Sequence, residues 1–225
     1  SYPGTPTRHC NISFRTLRDD AGNMAGLTGC VEDVTSAVRA RRELEARAAS
    51  DPLTGSLNRE ATLTLLQDIL DSQSVDDATN GTAVVFVDLD RLKPINDRHG
   101  HAIGDELLLR VAERIRSAVR RGDVVGRFGG DEFVVVCPGV LDATSAFNIA
   151  KSFAGRVLGP VYVGEQKVLI DVRASFGVAW TRAGGIEAAR MVEEADAAMY
   201  ESKRSGASEP VMAPVVTTRY SRRPR

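Results

Sequence analysis

An apolar strand that ends in two carboxylates is the feature that most restricts how this chain can fold. Residues 83–87 read Ala-Val-Val-Phe-Val and lead directly into Asp88-Leu89-Asp90. A short apolar run of this kind, within a predicted strand at 82–89, is typical of a buried strand. The carboxylates then lie at the edge of the core, a position that suits Mg²⁺ with its oxygen ligands. An Asp at a strand end is also an ordinary turn former or helix cap.

A predicted hairpin carries the second acidic cluster. Two β-rich runs, 124–128 and 132–137, are separated by Gly129-Gly130, and Asp131 and Glu132 follow the glycines. Glycines lack a Cβ, so a phosphate or another backbone can approach closely. If this hairpin lies beside the strand that ends at Asp88, the carboxylates converge on one or two metal ions, as in-line phosphoryl chemistry requires. A Gly-Gly turn followed by acids is equally typical of an exposed hairpin.

The remaining pattern indicates a helix-flanked sheet preceded by a smaller segment. Asp51-Pro52 interrupts the helical pattern and marks the start of a new domain. The fold class predicted is α+β, with a mainly antiparallel central sheet flanked by helices. The predicted helices are 36–50, 58–70, 103–120, 142–158 and 186–205, and the other strands are 12–17, 26–31, 161–163 and 168–179. Residues 207–225, rich in Pro, Ser and Arg, predict a disordered tail or linker.

Composition narrows the classes of partner and compartment. The 225 residues carry a formal net charge of -1, which gives no overall electrostatic reason to expect nucleic acid or a membrane as partner. Cys10, Cys30 and Cys137 are far apart and indicate neither a zinc site nor a disulfide framework. The apolar runs are much shorter than the roughly 20 residues of a membrane-spanning helix, and no signal peptide is visible. We therefore expect a cytoplasmic protein.

The motifs, taken in order, resemble the GGDEF family of diguanylate cyclases over nearly all of residues 51–206. The motif segments are Asp-Pro-Leu-Thr-Gly-Ser-Leu-Asn-Arg at 51–59, Asp-Leu-Asp-Arg-Leu-Lys-Pro-Ile-Asn-Asp at 88–97, His-Gly-His at 99–101 with Gly104-Asp105, Gly-Gly-Asp-Glu-Phe at 129–133, Ser-Phe-Gly-Val at 175–178, and Ala-Asp-Ala-Ala-Met-Tyr at 195–200 with Lys203. Residues 1–35 resemble the C-terminal part of a PAS-like sensory domain, and 36–50 its signalling helix.

The resemblance implies a palm-like domain that condenses two GTP molecules into cyclic di-GMP and releases two pyrophosphates. It also implies Mg²⁺ as the cofactor, with Mn²⁺ as a substitute. Asp88, the carbonyl of Leu89, and Asp131 would bind the metal. Asp131 would help to deprotonate the attacking 3'-hydroxyl, and Glu132 is a second candidate for this role. Lys93 completes the implied catalytic set.

The same resemblance implies how GTP is held. Asn96 and Asp105 would recognise guanine, since a carboxylate can accept from the guanine N1 and N2 hydrogens. The triphosphate would meet Lys93, Lys203 and the backbone amides near Leu92 and at Gly129-Gly130. Each lysine taken alone is also a common solvated surface charge.

Dimerisation and product inhibition are further implications. Family members join two domains face to face, so a homodimer is expected, and the preceding segment would set how the domains meet. Arg120 and Asp123 match an inhibitory RxxD site for cyclic di-GMP. They also suit an arginine-rich helix end followed by a glycine stop. A further arginine from the next helix is not evident among Lys151, Ser152 and Arg156.

Departures from the family pattern leave alternatives open. Leu92 stands where Phe is common, Pro94 is unusual, and Ala207 replaces an arginine that contacts phosphate. One alternative is an inactive GTP- or cyclic di-GMP-binding domain that controls a downstream phosphodiesterase domain. Another is a different nucleotidyl cyclase or a polymerase-like transferase, because fold does not fix substrate.

Overall fold

Two compact units make up the chain in the computed structural model, which describes residues 8–73, 81–182, 184–206 and 209–217. The first unit is Ser1–Ala48 and the second is Ala49–Arg225. Within the first, β1 (Cys10–Arg18) and β2 (Met24–Asp33) form an antiparallel hairpin followed by α1 (Thr35–Ala49). The predicted strand pair and helix are confirmed, and the assignment to a PAS-like sensory domain stays a prediction.

The second unit alternates helices and strands. In chain order its elements are α2 (Arg59–Ser72), β3 (Gly81–Leu89), α3 (Leu92–His99), α4 (His101–Ala118), β4 (Val124–Gly129), β5 (Glu132–Val140), α5 (Ala143–Val157), β6 (Gly159–Val163), β7 (Val168–Val172), β8 (Ala174–Thr181), α6 (Ala188–Ser205) and β9 (Val211–Met212). No helix within the described ranges combines the length and apolar character that crossing a membrane requires.

The central sheet is mixed, which corrects the expectation of a mainly antiparallel one. Its order is β4-β5-β3-β8-β9. β3 pairs antiparallel with β5 and β8, β4 pairs antiparallel with β5, and β9 lies parallel to β8. The parallel pair arises because α6 carries the chain back along the sheet after β8, as a crossover connection does.

Strand β9 corrects part of the prediction that 207–225 is a disordered tail or linker. Residues 209–217 follow the sheet edge: the Ala213 amide donates to the Val178 carbonyl at 2.8 Å, and the Val216 amide donates to the Trp180 carbonyl at 3.0 Å. Ala213 and Val216 are buried. The prediction rested on the Pro- and Arg-rich composition of the segment and overlooked Ala213 and Val216, which pack in the core. Ala207 and residues 218–225 lie outside the described residues.

Helices cover both faces of the sheet, which explains why β3 is buried along its whole length. Val85 and Val87 pack in a core with residues of α4 and α5. Val84 and Phe86 point the opposite way, into a core with residues of α2 and α6. At Gly177 in β8 an added Cβ would overlap backbone atoms of α6, so the strand and the helix lie backbone to backbone.

The secondary structure of the domain differs from the prediction in two places. The strand predicted at 168–179 is divided at Arg173: β7 pairs with β6 in a separate two-stranded sheet, and β8 enters the central sheet. Helix α3 was not predicted as an element of its own. It begins directly after Arg91, whose φ of 65° is left-handed and turns the chain sharply out of the sheet. Pro94 is accepted there because it lies in the first turn, where an amide has no intrahelical partner.

Candidate active site at the end of the central strand

The predicted carboxylates meet at one end of the sheet. Asp88 is the penultimate residue of β3 and is flanked by Glu132 on β5 and Ser175 on β8. The Leu89 amide donates to the Asp131 carbonyl at 3.1 Å, which fastens the hairpin turn to the end of β3. The hairpin therefore lies beside the strand, as the metal-site hypothesis requires.

Lys203 of α6 inserts a positive charge into this acidic cluster. Its Nζ lies 2.6 Å from Oδ1 of Asp88, whose side chain is only 11% exposed. Burial raises the pKa of Asp88, as do Asp131 and Asp90, and these effects outweigh the opposing contribution of Lys203. Burial alone would lower the pKa of Lys203, but the carboxylates of Asp88, Asp90 and Asp131 raise it on balance. The lysine therefore remains an ammonium group between the carboxylates.

Glu132 stands in a crowded acidic environment. Burial raises the pKa of its carboxyl group, and Asp88, Asp196 and Asp131 raise it further, while Arg59 opposes them. The guanidinium of Arg59 lies 5.5 Å from the centroid of the Phe128 ring, a cation–π geometry that holds it beside this acid. A cation that approached the cluster would relieve the repulsion.

The donor set fits a magnesium ion that keeps other ligands. Among the described residues no group of three or more His, Cys, Asp or Glu side chains is arranged to hold a metal. Mg²⁺ is commonly bound through one or two carboxylates together with water and substrate phosphate oxygens, so such a group is not required. Asp88 and Asp131, with the Leu89 carbonyl, supply hard oxygen donors, and the ammonium of Lys203 on Asp88 shows that a cation is accommodated there.

The turn that follows Asp88 is held rigidly. The Asp90 amide donates to the Arg173 carbonyl at 2.9 Å, and the Ser175 hydroxyl donates to Oδ1 of Asp90 at 3.2 Å. Leu92 is buried and anchors the start of α3, whereas Lys93 is exposed. The first amides of a helix have no intrahelical partner and favour anions. This arrangement suits phosphate groups beside the carboxylates.

The two predicted guanine-binding residues lie on adjacent helices. Asn96 of α3 packs against Gly104 of α4, where an added Cβ would overlap its Oδ1 atom. This oxygen is buried and has no hydrogen-bond partner within the ranges that the structure describes. Asp105, the next residue of α4, is exposed. A buried acceptor without a partner is costly, and a ligand that donated a hydrogen bond to Asn96 would remove that cost.

A network that the sequence did not predict supports the Gly129-Gly130 turn from the side of Asp51. Nη1 of Arg127 lies 3.0 Å from Oδ1 of Asp51, and both side chains are largely buried. Nη2 of Arg127 donates to the Gly130 carbonyl at 2.7 Å, and Gly130 has a φ of 24°. No spacing rule along the sequence connects Asp51 with Arg127, which is 76 residues away. The only indication in the sequence of this contact is that Asp51 and Arg127 carry opposite charges and lie in or next to motif segments.

The predicted inhibitory residues also meet. Nε of Arg120 lies 3.0 Å from Oδ1 of Asp123, whose side chain is 4% exposed, and Arg120 donates to the Pro138 carbonyl as well. Both residues line a cavity of about 350 Å³ together with Arg156 of α5. Lys151, in contrast, pairs with Glu209 at 2.8 Å. Arg156 is therefore the arginine of α5 that lines this cavity beside Arg120 and Asp123.

Comparisons with known proteins agree with this geometry. Residues 48–209 match the model of the family "Diguanylate cyclase, GGDEF domain". The bifunctional diguanylate cyclase/cyclic di-GMP phosphodiesterase MucR of Pseudomonas aeruginosa is 40% identical over 175 residues, which are 76% of this chain and 24% of MucR. The cyclic di-GMP phosphodiesterase PdeR of Escherichia coli is 34% identical over 176 residues, which are 77% of this chain and 25% of PdeR.

A solved structure shares the fold. The coiled coil and GGDEF domain of DgcB from Caulobacter crescentus, in complex with c-di-GMP, superposes with a TM-score of 0.65 at 27% identity, covering 79% of this chain and 94% of that one. The chain spans about a quarter of the length of the two curated relatives. With the family match covering most of its residues, the chain belongs to the GGDEF-domain family of diguanylate cyclases.

Proposed function

We propose that this protein is a Mg²⁺-dependent diguanylate cyclase that condenses two GTP molecules into cyclic di-GMP. The observation that carries the proposal is the meeting of Asp88, Asp131 and Glu132 at the end of β3, with the ammonium of Lys203 on Asp88. Strongly interacting carboxylates at the edge of a buried strand are typical of a site that binds a cation together with phosphate. The family supports the same activity.

The residues have distinct roles in the proposed reaction. Asp88, Asp131 and the Leu89 carbonyl would hold Mg²⁺, which when bound lowers the repulsion between phosphate oxygens and the nucleophile. Asp131 or Glu132 accepts the proton of the 3'-hydroxyl. The 3'-oxygen then forms a bond to the α-phosphorus, and the bond to the bridging oxygen of the β-phosphate breaks. Pyrophosphate leaves near Lys203 and Lys93, whose charges stabilise it.

Substrate choice and assembly follow from the same site. The Asn96 oxygen accepts from guanine, as does the Asp105 carboxylate, and adenine lacks the matching N1 and N2 donors. Each domain holds one GTP, so two domains must face each other for each 3'-hydroxyl to reach the other nucleotide. A homodimer is thus part of the proposal. Product bound at Arg120, Asp123 and Arg156 would restrain the cyclase.

The test is incubation of the purified protein with GTP and Mg²⁺, followed by chromatographic separation of the products. We expect cyclic di-GMP from the parent and at least a hundredfold less from Asp131→Asn, because that variant keeps the side-chain shape and removes the charge. Asp97→Asn, an exposed acid on α3, is the matched control and should retain activity. In Arg120→Ala, synthesis should continue while inhibition by added cyclic di-GMP is lost.

A regulatory domain without cyclase activity is the second candidate, favoured by the likeness to PdeR and by alanine at position 207. Binding of GTP or of cyclic di-GMP without product formation, even at high protein concentration, would establish it. Formation of any cyclic di-GMP that depends on Asp131 would exclude it.

A further inference from the structure

A cleft of about 700 Å³ opens on the β8 side of Asp88, opposite the catalytic hairpin. It is lined by the turn Asp90-Arg91, by the segment 171–175 and by Lys203 and Gly206 at the end of α6. Lys203 thus contacts both the carboxylate cluster and this cleft. None of the motif segments of the sequence assigns a role to Arg173.

The cleft has uncommitted positive charge. Arg173 bonds to Asp171 at 3.2 Å, but both side chains are more than half exposed, so this ion pair contributes little and is easily exchanged. Arg91 lines the same cleft, and no hydrogen bond or ion pair of its side chain is found among the described residues. Of the acids present, Asp90 already accepts from the Ser175 hydroxyl. Arg91 is therefore available to an incoming anion, and Arg173 becomes available once it leaves its exposed pair with Asp171.

The backbone fixes Arg173 close to the catalytic centre. Its carbonyl accepts the Asp90 amide at 2.9 Å, so residue 173 cannot move away from the carboxylate turn. Asp88 and Ser175 lie opposite each other on neighbouring strands, about 4.8 Å apart in the sheet. A diphosphate group that begins at the metal site therefore extends far enough to enter this cleft.

From this arrangement we propose that Arg173 is a positioning residue for the β- and γ-phosphates of the substrate and for the pyrophosphate that leaves. This inference rests on the proposed cyclase function. Lys203 lies between the candidate metal site and the cleft. The planar guanidinium of Arg173 can donate hydrogen bonds to two phosphate oxygens at once. On binding, Arg173 exchanges the exposed carboxylate of Asp171 for phosphate oxygens.

The test measures binding of two non-reacting probes, pyrophosphate and GMP, each with Mg²⁺, by calorimetry on the full chain. In Arg173→Ala we expect the dissociation constant of pyrophosphate to rise about tenfold, as for the loss of one charge-assisted contact. That of GMP should change less than twofold, and the Michaelis constant for GTP should rise while kcat changes little. Arg173→Lys should restore part of the pyrophosphate affinity.

Two further variants control for general charge effects. Arg110→Ala removes a half-exposed arginine of α4 that lines neither the cleft nor the cavity beside it, and should leave pyrophosphate affinity unchanged. Asp171→Asn removes the competing carboxylate and should tighten pyrophosphate binding about twofold to threefold.

The outcomes separate this inference from the proposed function. Unchanged pyrophosphate affinity in Arg173→Ala, or equal losses for GMP and pyrophosphate, would overturn the role of Arg173 while the cyclase stands. The same holds if the parent binds GMP but not pyrophosphate. A parent that binds neither probe nor GTP would contradict the proposed function itself.

Discussion

The buried contact between Asp51 and Arg127 leads to a measurable prediction about stability. Asp51 accepts from the Thr54 amide at 2.8 Å and from the Thr54 hydroxyl at 2.7 Å, besides the two bonds from Arg127. Its side chain is 19% exposed and that of Arg127 is 12% exposed. Asp51→Asn keeps an acceptor for Thr54 but leaves the guanidinium without its counter-charge.

The size of the effect follows from this geometry. Removal of one partner of a fully buried pair costs about 3–5 kcal/mol, and a hydrogen bond to a charged group contributes about 1.5–3 kcal/mol. Because this pair is partly exposed and Arg127 keeps the Gly130 carbonyl, we expect Asp51→Asn to lose about 2 kcal/mol of unfolding free energy at pH 7. Asp51→Ala, which also loses both Thr54 bonds, should lose about 3 kcal/mol.

The pH dependence provides an independent check. Burial tends to raise the pKa of Asp51, but the bonds from Thr54 and Arg127 outweigh burial and hold it below its usual value. A carboxyl group with a lowered folded-state pKa stabilises the protein above its unfolded pKa of about 3.9. That contribution is lost as the pH falls through the lower, folded value. The difference between parent and variant should therefore shrink in acid.

The assay is urea unfolding followed by far-ultraviolet circular dichroism at pH 7 and at stepwise lower pH. Asp171→Asn is the matched control, because it also removes the carboxylate of an Asp–Arg ion pair, but one whose two side chains are exposed. We expect its unfolding free energy to differ from the parent's by no more than about 0.5 kcal/mol. An Asp51→Asn variant as stable as this control at pH 7 would refute the reasoning.

Three further predictions concern other parts of the domain. Gly104→Ala should displace Asn96, because the added Cβ would overlap its oxygen; the Michaelis constant for GTP should rise at least tenfold, and unchanged kinetics would contradict the guanine site. Glu132→Gln should raise the melting temperature at pH 7, because the pKa of Glu132 is raised and its ionised form therefore destabilises the fold. Thermal scans at several pH values measure this gain, which should vanish below about pH 4, where the parent carboxyl group is protonated in both states. Truncation after Gly206 should lower unfolding free energy by about 3 kcal/mol, since Val216 and its bonded neighbours leave the core; equal urea midpoints would show that the tail contributes nothing.

The sequence predicted those parts of the fold in which local pattern and burial agree. The apolar run before Asp88, and the glycine turn before Asp131, were both placed where the structure has them. Helix α3 was missed because its eight residues are too few for a periodic pattern and depend on the left-handed turn at Arg91. The tail strand was missed because its apolar residues are stabilised by the sheet edge and not by their own composition.

The candidate site shows the same division. The motifs predicted that Asp88 and Asp131 converge, and the register of β3 with β5 places Asp88 beside Glu132 at the end of the sheet. Lys203 was expected at the triphosphate, and its contact with Asp88 was not predicted. The partners of Arg127 and the location of Arg156 depend on contacts between segments far apart in sequence. Tertiary packing decides such contacts. Neither a hydrophobic periodicity nor a motif spacing in the local sequence predicts them.

The absence of a side chain at Gly177 determines how Lys203 can respond to a ligand. Since β8 and α6 meet backbone to backbone there, no deformable side chain lies between them, and the helix cannot slide along the strand without a steric clash. We therefore expect β8 and α6 to move together. Any transfer of the Lys203 ammonium from Asp88 to a phosphate must therefore occur by rotation within its four-carbon side chain, on the fast time scale of rotamer exchange.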